Sequence, residues 1–203
     1  PQTDIPNIVH VRGECFMTFK TLQALNVERA KTGETPLANP RNAAVGAMKS
    51  LDPKACAAKR LDFIPYQVIG EFLGTVAQRQ SQLPAWFAAR GFRPVPQQMF
   101  DVAQLQDLLN YVVQFEALKR DLPYPSDGCV IKLDSFQDRE QFPNGTRSVR
   151  WGYAYKYPAE TAITRLNAIT IQVGRTGVLT PEAELEPVNL CGTVVQRASL
   201  HNR

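Results

Sequence analysis

The chain has 203 residues, 44% hydrophobic and 21% charged, with a net charge of +4 and a sequence pI near 9.0. That length holds one large domain, or a medium one and a small one, and the composition is that of a globular protein rather than a disordered or fibrous one. No apolar run is long enough to cross a bilayer, and the N-terminus lacks the charged-then-apolar order of a signal peptide. Pro1 and the closing His201-Asn202-Arg203 do not look like natural boundaries, so a piece of a longer protein is expected.

In chain order, a strand is expected over His10 to Met17. Thr18 is then placed to cap a helix running to about Ala30, with Phe19, Leu22, Leu25 and Ala30 roughly on one face and Gly33 beyond its end. Thr35-Pro36 and Asn39-Pro40 mark a loop. An Ala-rich helix is expected over Asn42 to Leu51, stopped by Asp52-Pro53. Leu61 to Ile69 has strand character, and Pro65 places it at an edge or a bend. A short helix is expected over Trp86 to Arg90. Asp101 suits the N-cap of a longer one, whose Leu105, Leu108, Leu109, Val112, Val113 and Phe115 form a wide apolar stripe expected in the core.

From Tyr124 the pattern turns to strands: Asp127 to Leu133, Trp151 to Tyr157, Ala162 to Val173, Val178 to Leu185 and Thr193 to Leu200. Gly174-Arg175-Thr176-Gly177 sits between two of them as a hairpin loop. A mixed part followed by an all-β tail predicts an α+β chain of two domains, residues 1–160 and 161–203. The tail has too few strands to close a small barrel and is expected to expose sheet edges.

Cys15, Cys56, Cys129 and Cys191 are widely spaced with no Cys-x-x-Cys pair, which argues against a zinc site or a disulfide scaffold. They are expected as small buried hydrophobes in a reducing cytoplasm. Basic residues gather between Arg147 and Arg175, where Arg147, Arg150, Lys156, Arg165 and Arg175 face the single acid Glu160. A basic stretch is commonly just a solvated face, but it also fits a polyanionic partner.

Three local patterns carry chemistry. Glu14, between Gly13 and Cys15 on the first strand, is either a solvent-facing glutamate or a carboxylate accepting from paired hydroxyls such as those of a ribose. In Asp127-Gly128-Cys129-Val130-Ile131-Lys132, the glycine is expected to let a ligand approach the backbone, with Val130 and Lys132 on its face of the strand. A lysine on an otherwise buried strand needs a counter-charge, which a phosphate would supply. Lys156 is a second such lysine, set among Tyr153, Tyr155 and Tyr157.

The order Val11-Arg12-Gly13-Glu14, Ala38-Asn39-Pro40-Arg41-Asn42, Asp127-Gly128-Cys129-Val130-Ile131-Lys132 and Tyr155-Lys156-Tyr157-Pro158 resembles the nucleotidyltransferase core of bacterial-type NAD-dependent DNA ligases. Gln172-Val173-Gly174-Arg175-Thr176-Gly177, Leu179-Thr180-Pro181, Leu185-Glu186-Pro187 and Leu200-His201-Asn202 resemble the start of that family's OB-fold. The resemblance implies antiparallel sheets with flanking helices, then a truncated OB-fold barrel.

It further implies that Glu14 holds the ribose, Val130 and Tyr66 sandwich the adenine, and Lys132 and Lys156 contact the nucleotide and its α-phosphate. Asp127 would place a divalent metal (magnesium, or manganese in its stead). Arg41 and Lys49 would meet nucleotide or nick phosphate, and Arg150 and Arg175 the DNA backbone. The implied activity seals nicks in duplex DNA with NAD, in replication and repair, by a monomer in the bacterial cytoplasm. The family's nucleophile is the lysine of a Lys-x-Asp-Gly motif, which these residues lack; it is expected upstream, and zinc-binding cysteines downstream. Lys49 stands where the family often has arginine, and Pro125-Ser126 where it usually has acid-Ile. A non-catalytic adenylate- or DNA-binding module, and a related ATP-dependent polynucleotide ligase or capping nucleotidyltransferase, are the alternatives.

Overall fold

The computed structural model describes residues 8–70, 73–142, 145 and 148–201. Arg147 and Asn202-Arg203 lie outside the described residues. The chain divides into two units, Pro1–Thr35 with Pro40–Tyr157 and Pro36–Asn39 with Pro158–Arg203.

In the first unit, β1 (His10–Phe16) leads into α1 (Phe19–Lys31), capped by Thr18, whose hydroxyl accepts from the Thr21 amide at 3.0 Å. The helix ends as expected, with Gly33 beyond it at φ 70°. Of the face expected to be apolar, only Leu25 is buried; Phe19 and Ala30 are exposed. Next come α2 (Pro40–Met48) and α3 (Pro53–Ala58). Asp52-Pro53 therefore starts a helix rather than merely stopping one. Asp52 accepts from the Lys54 amide at 2.9 Å, and a proline in the first turn has no helical N–H to lose.

Strand β2 (Asp62–Ile69) pairs antiparallel with β1, and the register shifts where Arg12 faces Gln67 while Gly13 faces Pro65. Tyr66 is the extra residue of this bulge. Pro65 thus marks an irregularity, as its chemistry predicts. Val68 is fully buried with Ala77, Leu83 and Phe87, which belong to the segment holding α4 (Leu73–Val76) and α5 (Leu83–Ala88).

Asp101 caps a short 3-10 turn that runs into α6 (Leu105–Leu118). Its apolar stripe is only half core. Val112 is buried, but Leu105 is 62% and Val113 68% exposed. The helix is covered on one side alone, so the row at every fourth residue opposite that side stays open. On the covered side, ring contacts run from Phe100 through Tyr111 and Phe115 to Tyr157, with centroids 5.5, 6.2 and 6.4 Å apart. The Tyr157 hydroxyl donates to the Val112 carbonyl. Burial, helped by Cys129, pushes this phenol up to about 12, so it remains a donor across the ordinary pH range.

The second sheet pairs β3 (Gly128–Lys132) with β4 (Gly152–Lys156), and α7 (Phe136–Glu140) lies between them in sequence. In the second unit, β5 (Leu166–Val173), β6 (Leu179–Leu190) and β7 (Thr193–Ser199) form an antiparallel sheet in chain order. Glu184 to Val188 interrupts the β6–β7 register, around Pro187. Gly177, at φ 81°, closes the β5–β6 hairpin, and its amide donates to the Gly174 carbonyl at 2.9 Å. Ile169, Ile171 and Val173 are exposed along one side of β5. The cysteines are not the buried hydrophobes expected: Cys15 and Cys191 are exposed, and Cys56 and Cys129 half-buried.

Candidate nucleotide site

Antiparallel pairing sets Gly128 opposite Lys156, Val130 opposite Ala154 and Lys132 opposite Gly152. Paired residues share a face, so Lys132, Val130 and Lys156 stand on one side of the β3–β4 ribbon. The two lysines are four residues apart along it, about 13 Å, with Val130 between them. Val130 is 59% exposed, so this face of the strand is open rather than buried, contrary to expectation. Lys156 is exposed, while Lys132 is half-buried.

Gly128 has a role within the sheet itself. A methyl group there would overlap the Tyr155 carbonyl oxygen and lie 3.0 Å from the Lys156 Cα. The missing Cβ admits the neighbouring strand. Gly13 is similar, since a Cβ would meet the Ile64 carbonyl oxygen and the Phe63 ring.

The Lys132 ammonium lies 5.1 Å from the centroid of the Tyr66 ring. The β1–β2 bulge and the β3–β4 ribbon thereby bring two expected site residues together. Burial lowers the Lys132 pKa from its ordinary value, and the Arg139 guanidinium lowers it further. Among the described residues no carboxylate oxygen comes within 4.0 Å of its ammonium. A half-buried cation without a counter-charge is disfavoured, and an anion would relieve it.

A second pair also meets, Arg41 Nη1 and Asp127 Oδ2 at 3.2 Å, both exposed. Ser126, at one of the departures from the family pattern, donates its hydroxyl to the Gly128 carbonyl at 3.0 Å. Glu14 is exposed and sits opposite Ile64, two residues from Tyr66. Lys49 and Arg150 are exposed, and nothing among the described residues joins either of them to the others. Arg175 is exposed on the β5–β6 hairpin of the second unit.

Sequence reasoning passes over the groups that hold this geometry. Asp134, which follows Lys132-Leu133, accepts from the Ser81 amide at 2.8 Å and the Ser81 hydroxyl at 3.1 Å, and its carbonyl accepts from the Gln80 amide at 2.9 Å. It is a fastening between two segments, and its likeness to the acid of a Lys-x-Asp-Gly motif is superficial. Arg139 is only 9% exposed, stacked 4.2 Å from the Trp151 ring centroid and 4.7 Å from that of Phe136. Burial lowers its pKa to about 10, against a raising influence from Asp134. An arginine inside a short polar helix gives no sequence signal for such a role.

Among the described residues no group of three or more His, Cys, Asp or Glu side chains could hold a metal ion. Asp127 is a single carboxylate. One of its oxygens is paired with Arg41 at 3.2 Å, so it could serve a magnesium only as one ligand beside waters and substrate phosphates, and it does not form an all-protein cage.

A mixed α+β part with antiparallel sheets, followed by an all-β part, corresponds to an adenylation domain followed by an OB-fold. Residues 1–160 match the NAD-dependent DNA ligase adenylation domain, and residues 163–203 the NAD-dependent DNA ligase OB-fold domain. The DNA ligase of Bacillus subtilis (strain 168) is 43% identical over 194 residues, covering 96% of this chain and 29% of the relative. That of Carboxydothermus hydrogenoformans is 44% identical over 196 residues, with 96% and 29% covered, and that of Chloroflexus aurantiacus 44% over 200 residues, with 98% and 28% covered. The chain belongs to the NAD-dependent DNA ligase family. It spans less than a third of the length of these curated relatives.

Proposed function

We propose that this chain is the nucleotide-holding part, with a DNA-holding extension, of an enzyme that seals single-strand nicks in duplex DNA using NAD, in replication and repair. The observation that carries this reading is Lys132: half-buried against Tyr66, without a carboxylate in reach among the described residues, and on one face with Val130 and Lys156.

In this reading the adenine sits between Tyr66 and Val130, and Glu14 accepts from the ribose hydroxyls. Lys132 and Lys156 hold the α-phosphate and stabilise the charge that grows on its oxygens during attack. Arg41 and Lys49 meet nucleotide or nick phosphate. Arg150 and Arg175 grip the DNA backbone, where each cationic contact displaces counterions. A lysine of the complete protein outside these 203 residues takes AMP and releases nicotinamide mononucleotide. The AMP passes to the 5′-phosphate of the nick, and the 3′-hydroxyl displaces it to form the phosphodiester bond. Asp127 would hold magnesium, whose chemistry is to neutralise phosphate charge. Bacterial relatives support a bacterial cytoplasmic setting, and the enzyme acts as a monomer.

The test is sealing of a nicked duplex by the complete protein with NAD or ATP as the only nucleotide. NAD is expected to support sealing and ATP not. Equal sealing with ATP would place the protein on the ATP-dependent branch. Nucleotide and DNA binding without any adenylated lysine would make it a binding module.

A further inference from the structure

Arg139 is a buried cation with no carboxylate oxygen within 4.0 Å among the described residues; Asp134, its nearest acid influence, is committed to Ser81 and Arg79. Taking a guanidinium out of water is costly unless its donors are well used. They are. Nε donates to the Leu133 carbonyl at 2.6 Å, and Nη2 to the Gln80 side-chain oxygen at 3.2 Å. Gln80 in turn donates through Nε2 to the Tyr66 carbonyl at 3.1 Å. Leu133 follows Lys132, whose ammonium lies over the Tyr66 ring. The contacts therefore close a ring: Lys132, Leu133, Arg139, Gln80, Tyr66 and back to Lys132.

Tyr66 is a bulge residue with no cross-strand partner in the β1–β2 register, so the ladder does little to fix it. Lys132 ends its strand. Tyr66 thus lacks a ladder partner, and one further bond, from the Leu133 amide to the Trp151 carbonyl at 2.9 Å, follows Lys132; Gln80 and Arg139 reach the chain at these two places. We propose that Arg139 is a positioning residue for the nucleotide site, tying through Leu133 and Gln80 the end of the Lys132 strand to the Tyr66 bulge. The proposal rests on the nucleotide reading of Lys132 and Tyr66. Arg139 touches neither nucleotide nor reacting atoms; it acts through those two. A planar fork suits this task, because one group must satisfy two acceptors at a set angle while its faces stack on Phe136 and Trp151.

Two variants of the complete protein test it, Arg139→Lys, which keeps charge and stem but not the fork, and Gln80→Leu, which cuts the same tie elsewhere. The first readout is independent of nucleotide: the ε-methylene protons of Lys132, which the Tyr66 ring shifts upfield. In both variants that shift is expected to collapse toward the value of a solvated lysine. The second readout is AMP affinity, expected to fall on the order of tenfold to a hundredfold in each variant, because small misplacements of a site are costly. The double variant should lose no more than the worse single one, since both break one tie.

An unchanged Lys132 shift in both variants overturns the proposal whatever AMP does, and so do single losses that multiply in the double variant. A collapsed shift in a protein whose parent binds no AMP would uphold the tie and contradict the nucleotide reading instead.

Discussion

Replacing Lys132 with methionine is expected to weaken AMP binding to the complete protein by roughly two to three orders of magnitude, with a melting temperature unchanged or raised. The size follows from Coulomb's law: an ammonium about 4 Å from a phosphate charge, at an effective dielectric near 20, contributes at most about 4 kcal/mol. The second half of the expectation is the sharper. Burial and Arg139 both hold the Lys132 pKa down, and no carboxylate among the described residues pairs with its charge. Its folded pKa lies below the unfolded value, so the destabilisation is fully present below that folded pKa. It fades as pH rises toward 10.5, the ordinary value for a lysine. Methionine removes the charge and keeps the apolar stem, which relieves the fold while removing the phosphate's partner. Isothermal titration with AMP and a thermal melt of the same preparations decide it. A variant that binds AMP as its parent does would remove Lys132 from the site; one that melts much lower would make the lysine structural.

Gly128→Ala should lose nucleotide affinity too, but together with about 3 kcal/mol of stability. The added methyl meets the Tyr155 carbonyl and the Lys156 Cα, and backbone cannot rotate aside as a side-chain tip can. Strands β3 and β4 must part at the end that carries Lys156, which disturbs the face shared with Lys132. Urea unfolding and AMP titration should therefore fall together here, where they diverge for Lys132→Met. Near-parental stability would show that the two strands pair less closely than described.

The elements with local chemical signatures were legible in the sequence. Thr18 caps α1, Asp101 the turn into α6, and the alternation of Gly128, Val130 and Lys132 marks β3, because each follows from side chains acting on their own backbone. Features requiring knowledge of which segment lies opposite were not. An Asp-Pro pair serves equally to end one helix or begin the next, and at Asp52-Pro53 it begins one. The α6 stripe fits a helix covered all round, and only tertiary contacts reveal that Leu105 and Val113 face outward.

The candidate site divides the same way. Its charged and aromatic members are visible as motif residues, and the meeting of Lys132 with Tyr66 follows from a bulge that Pro65 merely hints at. The groups bonded around them, Arg139, Gln80 and Asp134, carry no motif, since a fastening is defined by its partners and not by its neighbours in sequence.

The most direct measurement is a crystal structure of the complete protein with AMP. The adenine is expected between Tyr66 and Val130, with the phosphate within about 4 Å of the Lys132 ammonium and reached by Lys156. Adenine bound elsewhere, with Lys132 still resting on an uncovered Tyr66 ring, would contradict the account.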